Sequence, residues 1–250
     1  MKRAICVAAV VTALAAVGGC SPAPDQPKRD AAGNATGWTQ PPRILSVQRA
    51  MATLIFTGRA EPGARVALRN DERVAYAAAA DPDGRFEIRM AAPAGALLLR
   101  PETQVGQDAV VSPERLLIID GGRGPIAILR PGGPARRLDP GPALGALDSD
   151  DQSRLASGVV GAAGQRVEIE AAGEQLQALS ADQGQWSVLL GALAPGATVR
   201  LGDQSFVWPG PGTAGAPLVV ERAGEGWRVG WTGPRGAVQW TWLPDGSAGR

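Results

Sequence analysis

Residues 57–90 read TGRAEPGARVALRNDERVAYAAAADPDGRFEIRM, and residues 157–190 read SGVVGAAGQRVEIEAAGEQLQALSADQGQWSVLL. Laid side by side, Gly58 falls on Gly158, Gly84 on Gly184, Phe86 on Trp186 and Ile88 on Val188, each pair 100 residues apart. Gly63 and Val66 fall on Gly164 and Val167 at a spacing of 101, so one residue is inserted early and one is lost at the next turn. Further on, Pro93-Ala-Gly-Ala is echoed by Pro195-Gly-Ala-Thr. A repeat of this length exceeds a solenoid unit and matches a small β-sandwich.

Within and around the repeat the pattern is alternation broken by turns. ILSVQ (44–48), TLIFTG (53–58), ARVALRN (64–70), RFEIRM (85–90), ALLLRP (96–101) and RLLIID (115–120) are short runs separated by PG, DPDG and GG. Arg85-Phe86-Glu87-Ile88 has the strand period of two, with apolar side chains inward and charges outward. No segment carries the periodicity of a long amphipathic helix. The chain is therefore expected to be all-β, as two tandem sandwiches.

TGRAEPGARVAL followed by DPDGRFEI resembles the bacterial immunoglobulin-like and carboxypeptidase-regulatory-like modules of cell-surface proteins. The resemblance covers the first repeat clearly and the second in part, where Gly161-Ala-Ala-Gly164 replaces Glu61-Pro-Gly63. It implies immunoglobulin-like sandwiches serving as spacers, adhesive units or accessory domains, with no shared catalytic residues. The turns have their own physical reason: Pro62-Gly63 and Asp83-Gly84 supply the positive φ that tight turns demand.

The N-terminus bears on compartment. Met1-Lys2-Arg3 is basic, Ala4 to Val17 is apolar apart from Thr12, and Val17-Gly18-Gly19-Cys20 follows. A basic head, an apolar stretch too short to span a bilayer and small residues at a cut site read as a secretory signal peptide. VGGC resembles the lipobox of bacterial lipoproteins, which implies a diacylglyceryl thioether on Cys20, cleavage before it and acylation of the new amino group, with palmitate the expected fatty acid. An ordinary secretory signal cut elsewhere is the alternative. Several acyl chains hold a protein on a bilayer where one is marginal. Ser21 after the cysteine points, in the sorting pattern of that family, to the outer membrane, facing the periplasm or the cell surface.

The domain plan is then a signal peptide at 1–19 and a proline-rich, disordered tether at 20–43. An immunoglobulin-like domain at 44–120, an inter-domain strand or linker at 121–153 and a second immunoglobulin-like domain at 154–250 complete it. Proline keeps such a tether extended.

Composition narrows the chemistry. The chain has 25 Lys and Arg against 24 Asp and Glu, a balance that argues against a nucleic-acid partner. There is no histidine, which removes the usual general base, the commonest metal ligand and the Ser-His-Asp and Cys-His nucleophile systems. The only cysteines are Cys6, inside the signal, and Cys20, so no disulfide, thiolate catalysis or zinc–thiolate site is expected after processing. No catalytic residue, cofactor or metal is nominated. Asp81-Pro82-Asp83-Gly84 reads as a hairpin turn before half a calcium site, since calcium wants six or more oxygens. Asp148-Ser149-Asp150-Asp151 reads as a solvated linker.

Four of the seven tryptophans lie in GWRVGWTGPRGAVQWTWLPDG, residues 226–246. Trp227, Val229 and Trp231 alternate along one strand, and Val238, Trp240 and Trp242 along the next, so a hairpin with all large apolar side chains on one face is expected. Trp227, Trp231, Trp240 and Trp242 are the candidate binding residues, as a platform for sugar rings. Burial as core or edge closure is favoured over that platform, because an open patch of four indoles exceeds what monomers expose. The function expected is a non-catalytic, membrane-anchored envelope module meeting an unknown envelope protein or glycan. The alternatives are a carbohydrate- or peptidoglycan-binding module and an accessory hydrolase built on two converging carboxylates.

Overall fold

The computed structural model describes residues 40–72, 75–106, 108–150, 153–213, 217–233 and 236–245. The expected signal peptide, Cys20 and the expected tether up to residue 39 lie outside them. Every strand pairing among the described residues is antiparallel, no α-helix occurs among them, and Trp38–Arg250 clusters as one compact unit.

The first half contains β1 (Arg43–Ala50), β2 (Thr53–Arg59), β3 (Arg65–Arg69), β4 (Ala75–Ala79), β5 (Arg85–Ala91), β6 (Leu97–Val105), β7 (Asp108–Val111), β8 (Arg115–Ile118), β9 (Ile126–Leu129) and β10 (Arg136–Arg137). The second contains β11 (Leu144–Ser149), β12 (Arg154–Val159), β13 (Arg166–Ala171), β14 (Glu174–Leu179), β15 (Gln185–Leu190), β16 (Thr198–Leu201), β17 (Gln204–Val207), β18 (Leu218–Arg222), β19 (Gly226–Thr232) and β20 (Val238–Pro244). Four sheets result, ordered β1-β2-β5, β10-β9-β8-β6-β3-β4 with β7 on β6, β15-β12-β11-β20-β19-β18, and β14-β13-β16-β17.

The repeat read in the sequence is a repeat of topology. β1-β2-β5 recurs as β11-β12-β15, and β4-β3-β6-β8 recurs as β14-β13-β16-β17. Details recur too. The pairing of β1 with β2 is irregular between Ile44 and Ser46, and that of β11 with β12 between Leu144 and Ala146. Gly58 stands across from Phe86, and Gly158 from Trp186. A side chain at Gly58 would lie 2.3 Å from the Phe86 ring, and one at Gly158 1.9 Å from the Ala143 carbonyl. The turn glycines Gly84 and Gly184 have φ of 75° and 72°, and their carbonyls accept from Ala60 N–H and Val160 N–H.

Three apolar layers separate the four sheets. Leu54, Phe56, Phe86 and Ile88 of the first sheet pack on Val66, Leu68, Leu116 and Ile128 of the second. The other face of the second sheet, Leu117, Ile119, Ala127 and Leu129, packs on Ala146, Val229, Trp231 and Leu243 of the third. The opposite face of the third, Leu147, Ala156, Trp186 and Trp242, packs on Val167, Ile169, Val199 and Phe206 of the fourth. β9 and residues 116–118 of β8 are thus buried on both faces, which explains why these stretches are unbroken apolar runs. The stretch 121–153, expected as an inter-domain strand or linker, contributes two core strands, β9 and β11, to the sheets that meet in the middle layer.

Candidate functional site

The tryptophan hairpin forms as expected, but its register is not the one-faced register. Gly230 pairs with Trp240, Arg228 with Trp242, Trp231 with Gln239 and Val229 with Thr241. Directly opposed residues share a face, so Trp227 and Trp231 stand on one side and Trp240 and Trp242 on the other. This corrects the single apolar face. Alternation within each strand is as read; the turn offsets the two strands by one residue, and a one-residue offset reverses every side chain.

Each indole then has its own environment. Trp231 is buried in the middle layer, and its Nε1–H donates to Thr241 Oγ1 at 3.4 Å. Trp242 is buried in the second-half core, where its Nε1–H donates to the Ala223 carbonyl at 3.0 Å. Trp240 is also buried, packed over glycines: a side chain at Gly212 or Gly230 would lie 2.4 or 2.6 Å from its ring. Trp227 is half-buried, with the Arg222 guanidinium 5.0 Å from its ring centre. The four candidates do not form one open platform. The lipidation candidate, Cys20, lies outside the described residues.

The Asp81–Gly84 segment behaves as a turn. Asp81 Oδ1 accepts from Asp83 N–H at 2.9 Å and from Arg85 N–H at 2.7 Å, while Asp83 Oδ2 pairs with Arg85 at 3.0 Å. One oxygen of Asp81 is spent on backbone donors. No cluster of three or more His, Cys, Asp or Glu suited to a metal occurs among the described residues.

Asp148 is the residue that sequence reasoning placed wrongly. Far from being a solvated linker residue, it sits in β11 facing the middle layer, accepting from Ala135 N–H at 2.7 Å and from Thr241 Oγ1 at 2.6 Å. With Trp231 donating to Thr241, a chain of hydrogen bonds, buried at Trp231 and part-buried at Asp148, runs from the hairpin to the connecting segment. Burial raises the Asp148 carboxyl to about 7, although both hydrogen bonds pull the other way. Asp148 and Asp150 line one cavity of about 90 Å³ beside Arg130 and Gln239. Both Asp148 oxygens are already engaged, and the space falls far below the ~300 Å³ of pockets for drug-sized ligands. The arrangement fits a structural tie better than hydrolysis. The available signal was the alternation of β11, in which Asp148 lies two residues from the buried Ala146.

The connecting segment is tied at further points. Arg136 donates to the carbonyls of Ile44 at 2.5 Å and Leu45 at 3.2 Å. Arg137 pairs with Asp139 and donates to the Pro244 carbonyl at 2.5 Å. Ser157 Oγ donates to the Ala135 carbonyl at 2.9 Å. The segment thereby holds strand β1, the end of β20 and strand β12 together. No protein-family model matches the chain, and no curated protein matches it.

Proposed function

We propose that the chain is a bacterial envelope lipoprotein, anchored through Cys20, whose halves are tandem immunoglobulin-like sandwiches acting as a non-catalytic structural or protein-interaction module. The observation that carries the reading is the recurrence of one strand order in both halves, joined face to face by a buried apolar layer. It agrees with the immunoglobulin-type arrangement, in which the A-B-E strands form one sheet and C, F and G the other. β-Sandwiches host many functions, so the assignment of an interaction role rests on the lipobox-like VGGC and the tether as much as on the sheets. The partner class is an envelope protein, with a cell-wall glycan second. The four indoles offer no single platform for a sugar, because the hairpin register divides them between two faces.

The test is crosslinking in intact cells followed by mass spectrometry, run beside Cys20→Ser. The unmodified protein is expected in the membrane fraction with a discrete crosslinked envelope partner, and Cys20→Ser in the soluble fraction. A Cys20→Ser protein that stays with the membrane refutes the anchor. Crosslinks no different from those of a bystander envelope protein refute the interaction role.

A further inference from the structure

Two cavities occupy equivalent places in the two halves. The first is lined by Leu45, Thr57, Gly58 and Phe86, and the second by Gly145, Ser157, Gly158 and Trp186, each exactly one repeat later. Their charged walls differ. The first carries both signs, with Arg59 and Arg85 beside Asp81 and Glu87. In the second, Ala181 and Ser187 stand where Asp81 and Glu87 would be, and Arg130, Arg136 and Arg137 of the connecting segment supply a wall the first cavity lacks. The second cavity, about 240 Å³, is therefore lined by three arginines and no carboxylate.

The arginines are not all neutralised. Arg130 pairs with Glu114 at 2.7 Å and Arg137 with Asp139. Arg136 donates to two neutral carbonyls, and no ion pair to it occurs among the described residues. Burial and the nearby Arg130 and Arg43 lower its pKa, with Glu114 opposing. A partly buried cation repelled by its neighbours gains from an incoming anion. The same half-buried junction is where ligand pockets favour forming, between packed bodies.

We propose that this junction cavity binds a small carboxylate-bearing ligand, its charge drawn by the wall that Arg130, Arg136 and Arg137 form and its neutral polar groups met by Gln185 and Ser187. Guanidinium forks match carboxylates in bidentate geometry. The space is below the ~300–1,000 Å³ of pockets for drug-sized molecules, which limits the ligand to one acidic sugar unit or the C-terminal end of a peptide. Binding at this cavity does not depend on the proposed lipid anchor.

The test is calorimetric titration of the processed full chain at low ionic strength with glucuronate, with N-acetyl-alanyl-alanine, and with glucose as the neutral control. Saturable binding of one or both acids and none of glucose is expected, and the acid that binds identifies the source of the carboxylate. Ser187→Glu restores, at an exposed position of an edge strand, the carboxylate that the first half carries at Glu87. It is expected to weaken binding about tenfold or more by like-charge repulsion, with the unfolding temperature unchanged. Arg136→Gln is expected to weaken it likewise. Absence of saturable binding by either acid, or equal affinity in Ser187→Glu, overturns the proposal.

Discussion

At Asp148 a single carboxyl couples the fold to pH. The folded protein holds its proton up to about 7, whereas a free aspartate side chain releases it near 3.8. Between those values the native state binds more protons than the unfolded chain, so stability falls as pH rises through that window and levels off above it. Arg130 and Asp150 are the charged groups lining the same cavity, and neither outweighs burial. Asp148→Asn keeps the shape and removes the titration. Urea midpoints at about pH 4.5 and about pH 8 are expected to differ by the equivalent of a few kcal/mol in the parent protein and far less in the variant. Equal pH dependence in the two would assign the effect elsewhere. The residue's type was visible in the sequence, but its burial was not, because an acidic run flanked by serine has the composition of a surface loop.

Among the elements, β10 has two residues and an importance beyond its length. Arg137, with a side chain 8 % exposed, pairs with Asp139 and caps the Pro244 carbonyl, while Asp139 Oδ1 also accepts from Ile126 N–H at 2.8 Å. Removing one member of a buried, hydrogen-bonded pair leaves the other uncompensated. Arg137→Ala is expected to cost about 3–5 kcal/mol in denaturant unfolding. Arg89→Ala, which breaks the exposed Arg89–Glu87 pair on β5, is expected to cost about 1 kcal/mol or less. Equal costs would mean that β10 is a passive connector. Strand identity was legible wherever period-two alternation or an apolar run met a glycine turn, as in RFEIRM and RLLIID. The β19–β20 register was not, because residues 226–246 specify alternation within each strand, and the offset between strands is set by a turn whose geometry composition does not encode.

For the whole molecule, the middle layer of Leu117, Ile119, Leu129, Val229, Trp231 and Leu243 welds the halves. Bodies that share a buried apolar face lose it together, so their unfolding is coupled. Calorimetry is expected to show one transition for the parent protein. Leu129→Asp, which places a charge in that layer, is expected to split it into two or lower it strongly. Two separate transitions in the parent would mean that the layer contributes little. The outer surface of the fourth sheet carries Arg166, Glu168, Glu170 and Arg200 where the second sheet carries its apolar face, so the stacking of sheet on sheet ends there.

By itself, the amino-acid order established the all-β class, the repeated unit and its turn glycines, because these follow from local periodicity and from backbone conformations that only glycine enters cheaply. Tertiary structure alone decided which faces meet: the division of the tryptophans between two layers, the burial of Asp148 and the three arginines lining one cavity. Those depend on strand register and on contacts between residues some 100 positions apart, as between Arg137 and Pro244, and no local pattern carries that information.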